Sequence, residues 1–547
     1  MDNKRVIIAV VLSMLVLVGW GFIFPPEPVH RMEPQQQGNV TQDSADPART
    51  ASLPTSADIE APPLEVVEGE LITVNTPLYT AVFNSHGGTL QQFTLHEYQQ
   101  TIKPDSPDVD LVGTASPMGP MGLLLNRKAT WNIGSWGAAT DPEGNPVTEI
   151  DLSGEETGQL VFTGEVDGIR ISRVLTFDPA KYLVREQVRL VNPMDHPLGG
   201  NLRFTLAAKH LTTGDDTYNM TRVAALTPSG LEEEKDVDDL ATEGVIINNG
   251  VLWGGIQSNY FLLAVTPDEE QTQGDGVGFL AKMDDNVYRV ALERRLGDLA
   301  PNSETLVNAN YYFGPKSEKT MAGMPNQLDA AITYGWFDII AKPLLVALNL
   351  FYDFAGNYGI AIIILTIVIK ILFWPLSNKS YKSMNQMKKL QPMMAKIREK
   401  YKDDKQKMQQ EMMNLYRTYK VNPAGGCLPM LLQIPVFIGL YQALLNSIQL
   451  RHAPFISHLP FTDIIWLADL SAKDPFYITP LVMGGTMFLQ QKMTPQPGDP
   501  TQAKIMMFMP VIFTFIFLNF PAGLVIYWLT NNIISIAQQR WMLRKDA

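Results

Sequence analysis

Apolar residues recur along this chain in three different rhythms. Val6 to Phe24 is a predominantly apolar run of 19 residues without a charge, preceded by Lys4 and Arg5. About 20 such residues span a bilayer as a helix. A cleavable signal peptide would have a shorter apolar core and a small-residue cleavage site. Pro25-Pro26-Glu27-Pro28 follows instead, so the run reads as a signal anchor over residues 1–24. Residues 25–63 hold eight prolines among polar residues, too little apolar surface to fold, and read as an extended linker.

From 64 to 325 the rhythm is short and β-rich. Leu71–Val74, Tyr79–Phe83, Leu160–Phe162, Tyr182–Val191 and Asn201–Leu206 read as strands. Leu202, Phe204 and Leu206 alternate with Arg203 and Thr205, the period of a half-buried strand. Turn signals stand at 192–195 (Asn-Pro-Met-Asp) and 248–250 (Asn-Asn-Gly). No helix–strand alternation occurs, so a large antiparallel β-sandwich fits best.

The third rhythm is helical. Trp336, Phe337, Ile340, Leu344, Leu348 and Phe351 share helical spacing within 335–352, which predicts an amphipathic helix in the membrane interface or an ordinary buried one. Apolar segments follow at roughly 357–375, 427–448, 475–491, 503–519 and 523–541, the last two joined by a tight turn at 519–523. The chain thus reads as a polytopic α-helical membrane protein of six transmembrane helices with a large extracytoplasmic β-sandwich domain.

Charge sharpens this division. Residues 1–324 carry 22 Lys+Arg against 44 Asp+Glu, residues 325–547 carry 21 against 12, and the whole is net −13. Two solvents for one chain are implied, and the acidic total argues against DNA binding. Residues 378–420 hold 12 Lys+Arg against 4 acids, and the 449–474 loop has only Arg451 and Lys473. The positive-inside rule puts 378–420 and the 542–547 tail in the cytoplasm. Six spans from a cytoplasmic N-terminus give the same topology, with the β domain outside.

Little of the chain suggests chemistry. Cys427 is the single cysteine, and His86, His96, His196 and His210 lack ligand or triad spacing, so no metal, cofactor or catalytic residue is expected. Lys370 is the sharpest residue, a charge in an otherwise uncharged apolar stretch, where it costs about 2.5–3.5 kcal/mol on insertion scales. It either snorkels to the inner headgroups or faces an interior wet site. Its company favours the second: Thr366 one turn away, Gln433 in the next span, and Thr530, Asn531, Asn532 and Ser535 in the last. These groups glue helices together or line a hydrated cavity open to the cytoplasm. Residues 379–420 predict a basic helical hairpin turning at Asp403-Asp404, with Met384, Met387 and Met394 on one face and Met408 and Met412 on the other. Met-rich faces suit varied partners, although the stripes could simply pack on each other. The basic surface could hold anionic lipid or ribosomal RNA.

Residues 330–541 resemble the YidC membrane insertases, related to the mitochondrial Oxa and chloroplast Alb proteins. The matching stretches are Lys-Ile-Leu-Phe-Trp-Pro-Leu at 370–376, Lys-Val-Asn-Pro-Ala-Gly-Gly-Cys-Leu-Pro at 420–429, Gln-Ile-Pro-Val-Phe-Ile-Gly-Leu-Tyr at 433–441 and Phe-Pro-Ala-Gly-Leu-Val-Ile-Tyr at 520–527. The whole layout resembles the diderm bacterial type, whose periplasmic β-sandwich Asn84–Leu95 would begin. The resemblance implies a five-helix core at 357–541 around a hydrophilic groove open to the cytoplasm and closed outside. It places Lys370, Gln433, Tyr527 and Trp528 in that groove, beside the polar Thr366, Asn531 and Ser535, with Lys370 where many relatives carry Arg. A lysine keeps the attraction but lacks the planar fork. Implied partners are nascent membrane proteins and the lipid bilayer, with the Sec translocon (SecYEG, SecDF) and the ribosome as expected contacts. The implied function is insertion and folding of inner-membrane proteins, alone or with the translocon, driven by apolar transfer and the membrane potential. A solute transporter or channel, or a membrane-tethered carbohydrate-binding or carbohydrate-active protein, are the alternatives; no acid in a span, inverted repeat or paired carboxylates speak for them.

Overall fold

The computed structural model describes residues 69–112, 119–154, 156–211, 219–268, 276–419, 421, 428–494 and 500–545. The expected anchor at 1–24, the linker at 25–63 and the motif at 422–427 lie outside these residues. The chain divides into two compact units at Thr333/Tyr334.

The first unit is built on three sheets. All five expected strands are present, most of them longer than the sequence suggests: Leu71–Asn75, Tyr79–Asn84, Gly158–Val166, Leu183–Asn192 and Leu198–Ala208. The largest sheet has nine strands and faces one of six, with Phe204 of one edge-on to Tyr311 of the other at 6.4 Å. A five-stranded sheet covers the other half of the nine-stranded one through Phe83–Phe177 and Phe93–Phe313 ring contacts at 5.7 and 5.0 Å. Pairing is antiparallel except for Leu71–Asn75 beside Glu149–Asp151, which run parallel. The expected turns hold: the Asn192 side chain accepts from Met194 N at 3.1 Å, and Gly250 adopts φ 84°.

Strand periodicity also explains the charge inside. Along Ile169–Phe177, Ile169, Ile171, Leu175 and Phe177 are buried, and Arg173 shares their face. Burial of a guanidinium requires full pairing. Arg173 donates to Glu186 Oε1 at 2.5 Å, to Met121 O at 2.5 Å and to Gly87 O. Arg203 was expected on the wet side of its strand. It is instead 2% exposed and paired to Glu293 at 2.7 Å. Both faces of that strand are covered, since the Thr205 hydroxyl beside it bonds Gly119 O and accepts from Gly122 N.

The second unit consists mainly of helices: α1 (Asp338–Ala355), α2 (Tyr358–Lys400), α3 (Lys405–Thr418), α4 (Leu428–Asn446), α5 (Ile478–Met493), α6 (Pro500–Phe517) and α7 (Ala522–Lys545). Its polarity is inverted relative to the first. Thr366, Lys370, Asn532, Ser535, Gln538 and Gln539 are buried, while Leu372, Leu481, Phe508 and Phe515 are 59–73% exposed. Large apolar surface facing outward over polar groups facing inward is the pattern of a lipid-embedded bundle. By length and composition α2 suffices to cross a membrane, and Lys504–Phe517 is a shorter apolar helix.

One expectation is corrected here. The first arm of the basic hairpin is not a separate element. The apolar segment at 357–375 and the arm at 379–400 form one helix of 43 residues that runs through Pro375 and Pro392. After a 3-10 turn at Gly335–Phe337, the helix expected at 335–352 is α1, which buries Ala341, Leu345 and Leu348 and exposes Ile339, Val346, Leu350 and Phe354, with Asp338, Lys342, Asn349 and Asp353 along one stripe.

The 447–474 loop packs against the N-terminal ends of α2 and α7. Asn357 caps α2 through Ile360 N and donates to Phe455 O at 3.1 Å. The Phe455 ring lies on Gly359, where a Cβ would come within 2.1 Å of it. Ala522 and Gly523 at the start of α7 donate to Ala472 O and Leu470 O at 2.7 and 2.9 Å. Gly359→Val is expected to force this joint apart at a cost of about 1–3 kcal/mol, read as a lower melting temperature in detergent; an unchanged melt would show the contact to be slack.

Candidate functional site

Inside the second unit, α2, α4 and α7 meet along a line of polar side chains. Lys370 sits about three helical turns into α2 and is 6% exposed. Its ammonium donates to Ser535 Oγ on α7 at 2.7 Å. That hydroxyl donates its own proton to Asn531 O, one turn earlier, at 2.7 Å, which turns its lone pairs toward the lysine. The Asn531 side chain in turn accepts from Gln433 Nε2 of α4 at 2.9 Å. Four of the expected groove residues thus form one ladder across three helices. No carboxylate occurs in any of the five apolar segments, so the lysine enters the ladder as an unneutralised cation.

Thr366 lies on the same face of α2, fully buried, but its hydroxyl donates to Ile362 O at 2.6 Å within its own helix. The structure sets it beside the ladder rather than in it. Tyr527 and Trp528 stand one turn outward from Asn531. Tyr527 stacks on Phe437 with centroids 6.3 Å apart, and Trp528 meets Phe437 edge-on at 4.7 Å and Phe517 at 5.3 Å. These rings close the ladder at the end nearer the start of α7. From Ala522 to Tyr527 every residue of α7 is buried, whereas Trp528 through Asn531 are half-buried.

Sequence reasoning missed the inner continuation. Asn378 accepts from Gln538 Nε2 at 2.9 Å, and Tyr381 OH donates to Ser535 O at 3.5 Å. Trp374 and Trp541 lie 6.1 Å apart. The signal was present: 370, 374, 378 and 381 keep one helical face, as do 531, 535 and 538. It went unread because Asn378 and Tyr381 were assigned to a cytoplasmic arm instead of to the helix that carries Lys370.

The Met-rich hairpin resolves into an apolar seam and a basic exterior. Asp404 caps α3 through Lys407 N at 3.0 Å. Leu390, Met394 and Val421 form the seam, with Met387, Met412, Leu415 and Tyr416 packed against it. Three of the five expected capture methionines therefore face their own hairpin. Met384 and Met408 are half-buried outside that cluster, while Met393 and Met413, not singled out before, are 39% and 48% exposed. Among the described residues no group of His, Cys, Asp and Glu could hold a metal ion.

Residues 350–547 match the family model of the 60Kd inner membrane protein, and residues 71–347 that of the YidC periplasmic domain. The membrane protein insertase YidC of Maridesulfovibrio salexigens is 54% identical over 552 residues, which cover 100% of this chain and 99% of the relative. That of Oleidesulfovibrio alaskensis is 53% identical over 100% of both chains. A crystal structure of an active YidC insertase with its first transmembrane domain resolved is similar at 17% identity, with 97% and 98% of the two chains covered and a TM-score of 0.36.

Proposed function

The chain belongs to the YidC family of membrane protein insertases, and from that premise we propose how it acts on a nascent inner-membrane protein. Its β-rich first unit is the periplasmic domain, and its second unit is the membrane domain. The insertion site is the polar ladder of Lys370, Ser535, Asn531 and Gln433, with Thr366 beside it and Tyr527 and Trp528 as its outer lid. Water reaches the ladder from the cytoplasm, where both termini and the α2–α3 hairpin lie. A short translocated stretch of substrate enters this wet space, and Lys370 lowers the cost of its acidic side chains there. The substrate's apolar helix meanwhile leaves sideways into lipid. No bond is made or broken.

The observation that carries this reading is the burial of Lys370 against one neutral hydroxyl, inside a bundle whose exterior is apolar. Gluing helices together explains the amides but gives no reason for an uncompensated cation. The six-span topology, and the five-helix core at 357–541 with its hairpin at 379–420, rest on the charge distribution and on the family. The protein works by itself on short-tailed substrates and beside the Sec translocon on larger ones, with the basic hairpin near the ribosome.

The decisive experiment uses purified protein in liposomes without Sec components. A small single-span protein with a short acidic N-tail is added, and protease protection of that tail is scored against empty liposomes. Protection only with this protein is expected; none, from folded and oriented protein, would remove autonomous insertion. Deleting residues 385–415, which takes out most of the hairpin, is expected to slow substrate capture several-fold while the spans stay folded. Unchanged crosslinking to nascent chains would free the hairpin of that role.

A further inference from the structure

Between α4 and α5 the 447–474 loop carries a small β-hairpin, Ile456–His458 paired with Ile465–Leu467. Its tip is ordered by its own hydrogen bonds. Leu459 N donates to Ile464 O at 2.8 Å, Thr462 N to Leu459 O at 3.0 Å, and Ile464 N to the Thr462 hydroxyl at 3.3 Å. At the apex stands Phe461, wholly exposed and at φ 67°. A bulky side chain rarely adopts that backbone region, and an exposed phenyl ring gains nothing from water. Ile464 and Ile465 beside it are 49% and 39% exposed.

The hairpin is held rigidly. Trp466 Nε1 donates to Asp474 Oδ1 at 2.9 Å, and the same carboxylate accepts from Phe476 N and Thr479 N at the start of α5. Phe455 at its base is seated on Gly359 at the start of α2. The tip is therefore presented from the level of the outer helix ends, on paired strands of three residues, each about 10 Å long. Phe476 and Tyr477, where the loop rejoins α5, are themselves 45% and 38% exposed, as aromatic residues are at a bilayer surface. Residues 456–467 contain no Lys or Arg, and Asp463 is their one acid.

We propose that this hairpin is an interfacial wedge, whose apex Phe461 inserts into the outer leaflet of the bilayer in which the chain is embedded. The occupant is lipid acyl surface, recognised by apolar contact and not by charge. Asp463 keeps the insertion at headgroup depth. The wedge pins the outer seal to the lipid while the cytoplasmic side stays free to admit substrate. The inference rests on the external placement of 449–474 in the proposed topology.

The test uses full-length protein with Cys427→Ser and Phe461→Cys, an environment-sensitive fluorophore on the new thiol, and proteoliposomes of zwitterionic lipid. Expected are blue-shifted emission, quenching by acyl-brominated lipid, and iodide quenching several-fold weaker than for the free dye. Adding anionic lipid should change none of these. Water-like emission with full iodide access would overturn the wedge. So would protection from iodide without bromolipid quenching, which means that protein covers the apex. A requirement for anionic lipid would overturn it as well. Ser457→Cys, on an exposed strand residue, separates failure of the topology. If a membrane-impermeant maleimide labels it from outside, the topology stands whatever the apex does.

Discussion

Lys370→Glu is expected to cut insertion of substrates with acidic translocated tails by roughly tenfold or more, and to leave neutral-tailed substrates nearly unaffected. The reason lies in the ladder. One N–H of the ammonium is used by Ser535, and the others remain for water or an incoming acid. A carboxylate about 4 Å away gains about 4 kcal/mol at an effective dielectric of about 20. Water in the groove discounts that figure, but a fraction of it still exceeds the 1.4 kcal/mol of a tenfold effect. Reversing the charge turns the attraction into repulsion of similar size. Lys370→Arg should retain activity, since it keeps the charge and adds donors, and Lys370→Gln should fall between. Protease protection of matched acidic and neutral tails measures the difference. Equal insertion of both by the Glu variant, at equal expression, would take the lysine out of the mechanism.

The second large effect concerns the periplasmic domain. Arg173→Met should destabilise it by about 3–5 kcal/mol, because Glu186 is left charged and unpaired at zero exposure. The carbonyls of Gly87 and Met121 lose their donor in the same step. Arg173→Met with Glu186→Met should recover much of that loss, since an apolar pair of similar volume removes the stranded charge. Urea unfolding of the two variants gives the comparison. A single variant within 1 kcal/mol of the parent would mean that water reaches the pair. Insertion by the membrane unit should persist in both, because the ladder lies wholly within the second unit.

The parts of this molecule that were legible in the sequence are those governed by a local period. Leu198–Ala208 announces itself by the alternation of Leu202, Phe204 and Leu206, and the helices by their apolar runs. Lys370 was legible as a cost with no local return. What stayed hidden depends on a second layer. Arg203 looked wet because its own strand alternates, yet it is buried against Glu293 of the neighbouring strand, and the loop at 119–122 bonds Thr205 on the same face. Asn378 looked cytoplasmic because the apolar segment ends at 375, whereas the helix does not, and its partner Gln538 was not singled out within its own span. The Met stripes left partner binding and mutual packing both open, and Met387, Met394 and Met412 pack into the hairpin seam. Periodicity shows that a face is apolar; which neighbour meets it is a tertiary fact.

The uninterrupted burial of Ala522 to Tyr527 has an electrical consequence. Six helical residues rise about 9 Å, against about 30 Å of hydrocarbon in an ordinary bilayer. In the proposed topology, water reaches Lys370 from the cytoplasm, and this thin dry layer is then all that insulates the two compartments at that point. The transmembrane voltage therefore falls across it rather than across the full membrane. An acidic residue released by the lysine meets the steepest field at the step where it leaves the wet space. The voltage contributes about 2.3 kcal/mol per charge per 100 mV, concentrated in a few residues of travel. Because the inside of the cell is negative, that field drives the acid outward.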